Sequence, residues 1–304
     1  MIHQLQAKLY IMRSPVAAYK QQHGAGNDAT QKTSQKRRQR DLYAEMMRQD
    51  NPNFGSLPVS DVEKVEVDPA IDDAQEDKGK YQCITQQIST ISDLMIGVAK
   101  GTIVLWNNNS TINWTARSDG YPSYADALFA ARGVYAAAQA WNDALQGRIV
   151  FKYVAVFDDA CFQVQYGGDQ GNTLASAFFP DEYGRALNDV FVYRRQYDED
   201  VRSYVANTMA HELGHVLGLR HEHAHEGISG WLPPEDMPDG AEAIIYGSRN
   251  PLSVMAYYRG QQIQQSDKQD IVDAYDSLTD GLVIQGVGRF GYVQKRVQRV
   301  RPDN

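Results

Sequence analysis

The chain has 304 residues, of which 42% are hydrophobic and 22% charged, a balance typical of a globular protein with one large domain or two small ones. Its formal net charge of −8 argues against a general nucleic-acid-binding protein, because neutralising phosphates requires a basic face. No window of about 18 apolar residues occurs, so we expect no membrane-spanning helix.

The N-terminal region differs in composition from the rest of the chain. A basic run at residues 31–40 is followed by an acidic run at residues 61–77, and such charge blocks are typical of extended or partly ordered segments. Arg37 and Arg38 form a dibasic pair, which is either a processing site or part of a solvated charge run. We predict that residues 1–97 form a pro-like or partly disordered segment. Its first residues do not read as a secretory signal, so the chain is either cytosolic or has lost a leader.

The two cysteines leave the redox state open. Cys83 and Cys161 are too few for a disulfide scaffold. They form one bridge, remain two free thiols, or include one thiol with a function of its own.

The residues from about 98 to 280 show globular patterning. A helix is predicted over residues 124–146, where apolar residues recur at three- and four-residue steps before Gly147. Two further helices are predicted at about 201–217 and 267–278. Runs rich in β-branched and aromatic residues predict strands at 102–106, 112–115, 148–156, 162–166, 174–179 and 189–194. This order predicts an α+β fold with a mixed sheet covered by helices, followed by a basic, solvated tail at residues 281–304.

A histidine cluster begins in the helix predicted at about 201–217. His211 and His215 are four residues apart, so both side chains project from one helix face and can bind one ion. Gly218 is expected to end the helix in a left-handed conformation, which lets His221 return as the third ligand. Three imidazoles leave the fourth position of a tetrahedral Zn²⁺ open, as in catalytic sites. Glu212 is then placed to act as a general base on a water at that position.

The segment HELGHVLGLRH resembles the long zinc-binding signature of the metzincin metallopeptidases. SVMAYY, at residues 253–258, resembles their methionine turn, which places Met255 beneath the three ligands. The resemblance implies a metzincin-like zincin fold with a twisted mixed sheet, a long backing helix, an active-site helix and a small C-terminal subdomain after the third histidine. It also implies a zinc-dependent endopeptidase that acts on proteins or peptides. His223 and His225 lie outside the spacing and are interpreted as loop residues.

Within the metzincins, the chain is similar to the astacins. Glu222 directly follows the third histidine, as in astacins, and residues 265–275 resemble the start of the helix that follows their methionine turn. Tyr257 matches the tyrosine that, in astacin-like and serralysin-like members, binds as a fifth ligand and stabilises the oxyanion. The resemblance favours a secreted protein.

The expected mechanism is metal-assisted hydrolysis, in which Zn²⁺ lowers the pKa of its water towards ~7 and Glu212 removes the proton. Zinc and Tyr257 would stabilise the oxyanion, and residues 174–179 are the candidate edge strand for an extended substrate. The alternative is a zinc-binding recognition or toxin-like module without activity, although a structural site has no use for Glu212. The N-terminal region is expected to confer latency, with Cys83 as a candidate ligand for the open zinc position.

Overall fold

The computed structural model describes residues 29–48, 102–106, 108–155, 157, 160–180, 188–222, 250, 252–256, 262–277, 283–284 and 292–296. In these residues the helices are α1 (Ala29–Met46), α2 (Tyr124–Leu145), α3 (Glu199–Arg202), α4 (Val205–Leu217) and α5 (Gln265–Ser277), with a 3-10 turn at Arg194–Tyr197. The strands are β1 (Thr102–Trp106), β2 (Ser110–Ala116), β3 (Ile149–Tyr153), β4 (Phe162–Tyr166), β5 (Ala175–Ser176), β6 (Asn188–Val192), β7 (Val283–Ile284) and β8 (Tyr292–Arg296). The predicted α+β class is confirmed.

The main sheet has five strands in the order β3-β2-β4-β6-β5. Strands β3, β2, β4 and β6 run parallel, whereas β5 pairs antiparallel with β6 and forms one edge. Helix α2 connects the parallel strands β2 and β3, as a crossover between parallel neighbours requires. This mixed sheet with covering helices is the architecture expected of a metzincin-like zincin.

Helix α2 is the long backing helix. Ser123 caps its N-terminus by accepting a hydrogen bond from the Asp126 backbone N–H at 3.1 Å. Its C-cap is Gln146, which adopts the left-handed conformation with φ of 51°. The last helical residue is therefore Leu145, one residue earlier than the predicted Gln146. Gly147, the expected stop, also has positive φ. Its buried face is rich in alanine, which allows close approach to α4, and a Cβ on Gly133 would lie 2.5 Å from Val205 Cγ2.

Helix α4 carries the histidine cluster. The sequence predicted one helix over 201–217, but α3 ends at Arg202 and α4 begins at Val205. The break follows from the backbone of Tyr204, the N-cap of α4, which lies outside the helical region at φ −94° and ψ 10°. The C-terminal end matches the expectation, because Gly218 has φ of 104° and caps the helix in the left-handed conformation.

The C-terminal region contains two strands within the predicted basic tail. Within residues 281–304, β8 pairs antiparallel with β1, and β7 pairs with β8, in a separate sheet of order β1-β8-β7. Strand β1 therefore does not pair with β2, which follows it in sequence. Charge composition alone does not indicate this pairing, because the backbone groups of β1 provide the hydrogen-bond partners.

The second half of α1 belongs to the main folded unit. The chain divides into Met1–Ser34 and Gln35–Asn304, so the predicted boundary at residue 97 does not separate this helix from the rest. Leu42 and Met46 are 0% exposed and belong to the hydrophobic core. Residues 29–46 thus form a helix inside the segment predicted as extended or partly ordered, and its two buried apolar residues lie four apart on one helical stripe.

Among the described residues, no helix is long and apolar enough to cross a membrane.

Candidate metal centre

Three histidines converge at the C-terminal half of α4. Nε2 of His221 lies 3.1 Å from Nε2 of His211 and 3.2 Å from Nε2 of His215. The first two histidines project from successive turns of α4, and their ring centroids are 4.8 Å apart. The third follows the left-handed turn at Gly218. The predicted spacing thus brings all three residues to one point, and they could hold a metal ion.

Backbone carbonyls orient two of the three rings. Nδ1 of His211 lies 2.8 Å from the Val254 carbonyl oxygen, and Nδ1 of His215 lies 2.8 Å from that of Leu219. Because a carbonyl can only accept, each Nδ1 carries the proton and donates it. In the neutral form of each ring, Nε2 therefore carries a lone pair directed at the shared point. This carbonyl–histidine arrangement is the usual outer support of a metal-binding histidine.

The donor set fits zinc. Two nitrogens at about 2.0–2.1 Å from one tetrahedral zinc are about 3.3 Å apart, close to the 3.1 Å and 3.2 Å distances found here. A cation at the shared point accounts for the whole arrangement. Within the described residues this is a three-nitrogen set, as in open catalytic sites.

Burial favours the neutral form of His215, the second of the three histidines. His215 is fully buried, and desolvation lowers its pKa well below the usual value, with the neighbouring His221 and His211 adding to the effect. An unprotonated imidazole is the form that binds a metal. One side of the ring is closed by Phe179, whose centroid is 5.1 Å away in an edge-to-face contact. Phe179 also supports the guanidinium of Arg220, whose Cζ lies 5.5 Å from the ring centroid.

Met255 lies against α4 beside the ligands. It is 4% exposed, and its Sδ occupies the space that a Cβ on Gly214 would need. Gly214 is adjacent to His215 in the helix, so a glycine here allows the methionine to approach the ligand-bearing turn. The carbonyl of Met255 accepts a hydrogen bond from the Glu222 backbone N–H at 3.2 Å. The turn at 252–256 therefore contacts the chain on both sides of the ligand set.

Asp267 anchors this turn, and sequence reasoning missed it. Its carboxylate Oδ2 accepts hydrogen bonds from the backbone N–H groups of Val254 at 3.0 Å and Gln264 at 2.8 Å. One residue, Val254, thus links Asp267 to His211, because its N–H donates to Asp267 and its carbonyl accepts from the His211 ring. Asp267 is the third residue of α5, where an acidic side chain commonly reaches back to the helix start. That pattern was visible in the sequence, but its second contact depends on tertiary structure.

Glu212 is buried beside the ligands, with 2% of its surface exposed. It follows His211 directly and so points about 100° around the helix from that ligand. The edge strand β5 lies at the start of the predicted edge segment 174–179, although only Ala175 and Ser176 form regular strand. The same segment continues to Phe179, which contacts His215. The antiparallel edge of the sheet therefore leads directly to the ligand set.

Several predicted residues lie outside the described part of the chain, namely Cys83, Tyr257, His223 and His225. Cys161 is a buried free thiol, and burial raises its pKa to about 12. At neutral pH such a thiol is protonated and poorly nucleophilic. Cys161 has no disulfide partner within the described residues, which do not include Cys83.

Comparison with known proteins connects this geometry to one family. The family model of matrixins matches residues 128–231, which include most of α2, the strands β3 to β6 and all three histidines. No curated protein matches the chain. The match does not extend to the astacin-like assignment, which stays a prediction. The similarity to matrixins, together with the three converging histidines, supports a metzincin-type zincin and a zinc metallopeptidase.

Proposed function

We propose that the chain is a zinc-dependent endopeptidase in which His211, His215 and His221 bind the metal and Glu212 transfers protons. The observation that carries the proposal is the convergence of the three Nε2 atoms, with carbonyl partners fixing two of the rings. The matrixin match over the same residues supports it. A recognition module without activity would need the metal site but not a buried carboxylate beside it.

Zinc in this site would supply Lewis acidity, making a water more acidic and polarising the substrate carbonyl. Glu212 would accept the proton of that water and later donate it to the leaving amine. Its burial suits this role, because exclusion of bulk water limits loss of the transferred proton to solvent. His211 and His215 would keep their orientation throughout, because each Nδ1 is held by a carbonyl.

Tyr257 is the proposed oxyanion donor. Its support is the spacing of two residues after Met255 and the resemblance of SVMAYY to the astacin-like and serralysin-like methionine turn. In this role the phenol would donate a hydrogen bond to the developing oxyanion. An astacin-like kind of metzincin, and secretion, follow from the same resemblance and are proposed with it.

The proposed substrate is a protein or peptide bound in extended form along β5. Because β5 is the last strand of its sheet, one of its two edges has no partner strand within the described residues. A peptide can add to such an edge through backbone hydrogen bonds, with pockets selecting its side chains. Phe179, four residues beyond the start of β5, would then place the scissile bond near His215.

The test compares Glu212→Gln with wild type in casein or gelatin hydrolysis, with and without a chelator. The variant should keep one zinc per chain and lose at least about a hundredfold in activity, the lower end expected of a general base. Glu199→Gln, at an exposed position in α3, is the matched control and should retain full activity. Wild-type protein that binds zinc but hydrolyses neither substrate would favour the recognition module, and unchanged activity of Glu212→Gln would contradict the mechanism.

A further inference from the structure

The last turn of α4 presents carbonyl groups that the helix itself cannot satisfy. The final four carbonyls of any α-helix lack the N–H donor one turn ahead. Here the left-handed turn serves two of them, because the Leu219 N–H donates to Gly214 and the Gly218 N–H donates to His215, each at 2.9 Å. The carbonyls of Val216 and Leu217 need partners from elsewhere in the protein.

Two distant side chains provide these partners. Trp106, the last residue of β1, donates its indole N–H to the Val216 carbonyl at 2.7 Å. Tyr275, in α5, donates its hydroxyl to the Leu217 carbonyl at 3.1 Å. Both side chains are almost fully buried, at 1% and 0% exposure. They lie before and after the segment similar to matrixins, so two elements outside that segment hold the end of the zinc-binding helix.

The end of α5 that carries Tyr275 is itself held by neighbouring residues. Arg148 forms a two-point ion pair with Asp276 at 2.7 Å and 2.6 Å, which holds the end of α5 to the start of β3. Asn108 donates its side-chain amide to the Tyr275 carbonyl at 3.3 Å. The backbone of Tyr275 is therefore held in place while its hydroxyl donates to Leu217.

The held turn determines where two ligands lie. His215 is part of it, the Leu219 carbonyl that orients the His215 ring follows it, and His221 comes four residues after Leu217. We propose that Trp106 and Tyr275 are positioning residues that fix this turn so that His215 and His221 meet His211 at zinc-binding distance. The inference rests on the proposed zinc site. Outer supports of a metal site affect metal affinity because they remove the freedom of the ligands before binding.

The experiment measures zinc affinity by competition with a chromophoric chelator in Tyr275→Phe and Trp106→Phe. Each variant removes one donor and leaves a similar ring. We expect zinc binding to weaken by about 10- to 100-fold, the range for outer-shell partners. The controls Tyr153→Phe and Trp114→Phe remove the same groups from buried residues of the sheet, at 7% and 1% exposure. They should leave zinc affinity within about twofold of wild type.

Thermal unfolding of the metal-free proteins separates positioning from general stability. Loss of zinc affinity in all four variants in proportion to their loss of melting temperature would overturn the proposal, as would unchanged affinity in both Tyr275→Phe and Trp106→Phe. Should Trp106→Phe not fold, Tyr275→Phe decides alone. The absorption spectrum of the Co²⁺-substituted protein should change in Tyr275→Phe and stay constant in Tyr153→Phe, since it reports ligand geometry.

Failure of this inference differs from failure of the proposed function. Zinc affinity is measured whether or not peptides are cleaved. The role of Trp106 and Tyr275 can therefore be tested even if the wild-type protein binds zinc but cleaves no peptide. Full activity of Glu212→Gln would contradict the proposed mechanism and leave the positioning role intact. Wild-type protein that binds no zinc would overturn both.

Discussion

The candidate metal centre on α4 and the contact of α1 with the core lie at different parts of the sheet and are built in different ways. The ligand set adjoins the β5 edge through Phe179, whereas α1 contacts the opposite edge strand, where Tyr43 packs on Tyr153 with ring centroids 5.0 Å apart. The first depends on polar atoms with defined directions. The second depends mainly on buried apolar area, which has no preferred direction. Single-atom changes should therefore have their large effects in the first region, whereas in the second region the large effects should come from loss of volume.

This difference changes how the N-terminal region is tested for latency. A chain that begins near residue 98 would lose Leu42 and Met46 from the core as well as any inhibitory segment. Low activity of that chain would then reflect instability. A cut placed after α1, or Cys83→Ser in the intact chain, tests latency without removing core residues. Arg37 and Arg38 are exposed but lie within α1, and proteases bind extended segments, so cleavage there requires the helix to unfold locally.

The largest expected effect is on metal binding in His215→Ala. Removal of a buried ligand should weaken zinc binding by more than the about 100-fold that an outer-shell change can cost. Metal analysis after dialysis should then find less than one zinc per chain. Leu42→Ala is the matched comparison and should retain a full equivalent. Equal zinc content in wild type and His215→Ala would show that the converging histidines are not the metal site.

The next effect is on stability at the contact of α1 with the core. Leu42→Ala and Met46→Ala should each lower the free energy of unfolding by about 2–5 kcal/mol, as buried large-to-small substitutions do. The free energy of unfolding is measured by denaturant titration. Deletion of residues 1–34 should have no such effect, because the compact unit begins at Gln35. An unchanged free energy of unfolding in Leu42→Ala would contradict the packing of α1 on the core. It would favour the predicted domain boundary at residue 97.

The smallest expected effect concerns the polar contact of α1. The Tyr124 hydroxyl donates to the Glu45 carboxylate at 2.9 Å, and burial, followed by this hydrogen bond, raises the pKa of Tyr124 to about 12. A raised pKa stabilises the fold below pH 10, and the contribution is lost as pH rises towards 12. Tyr124→Phe should cost at most about 1 kcal/mol at neutral pH. Its melting temperature should approach that of wild type at alkaline pH, and a constant difference from pH 8 to 11.5 would exclude this contact as the cause.

The sequence by itself determined the local features of this protein. The spacing of His211, His215 and His221 specifies which atoms can meet, because a helix has a fixed period and glycine permits the left-handed turn at Gly218. The long helix α2 and the class of the fold were likewise readable from hydrophobic periodicity. These features depend on residues within one or two turns of one another.

Only the tertiary structure decided the contacts between distant parts of the chain. The hydrogen bond from Trp106 to Val216 joins residues 110 positions apart, and that from Tyr275 to Leu217 joins residues 58 apart. The burial of Leu42 and the pairing of β8 with β1 are of the same kind. None of these contacts follows from a repeating pattern in the sequence, because a buried carbonyl or an open strand edge accepts a partner from any segment that the fold brings near. Charge composition did not indicate the contacts of Leu42 or of β8 for this reason, since it describes solvation of a segment and not the surface available to it.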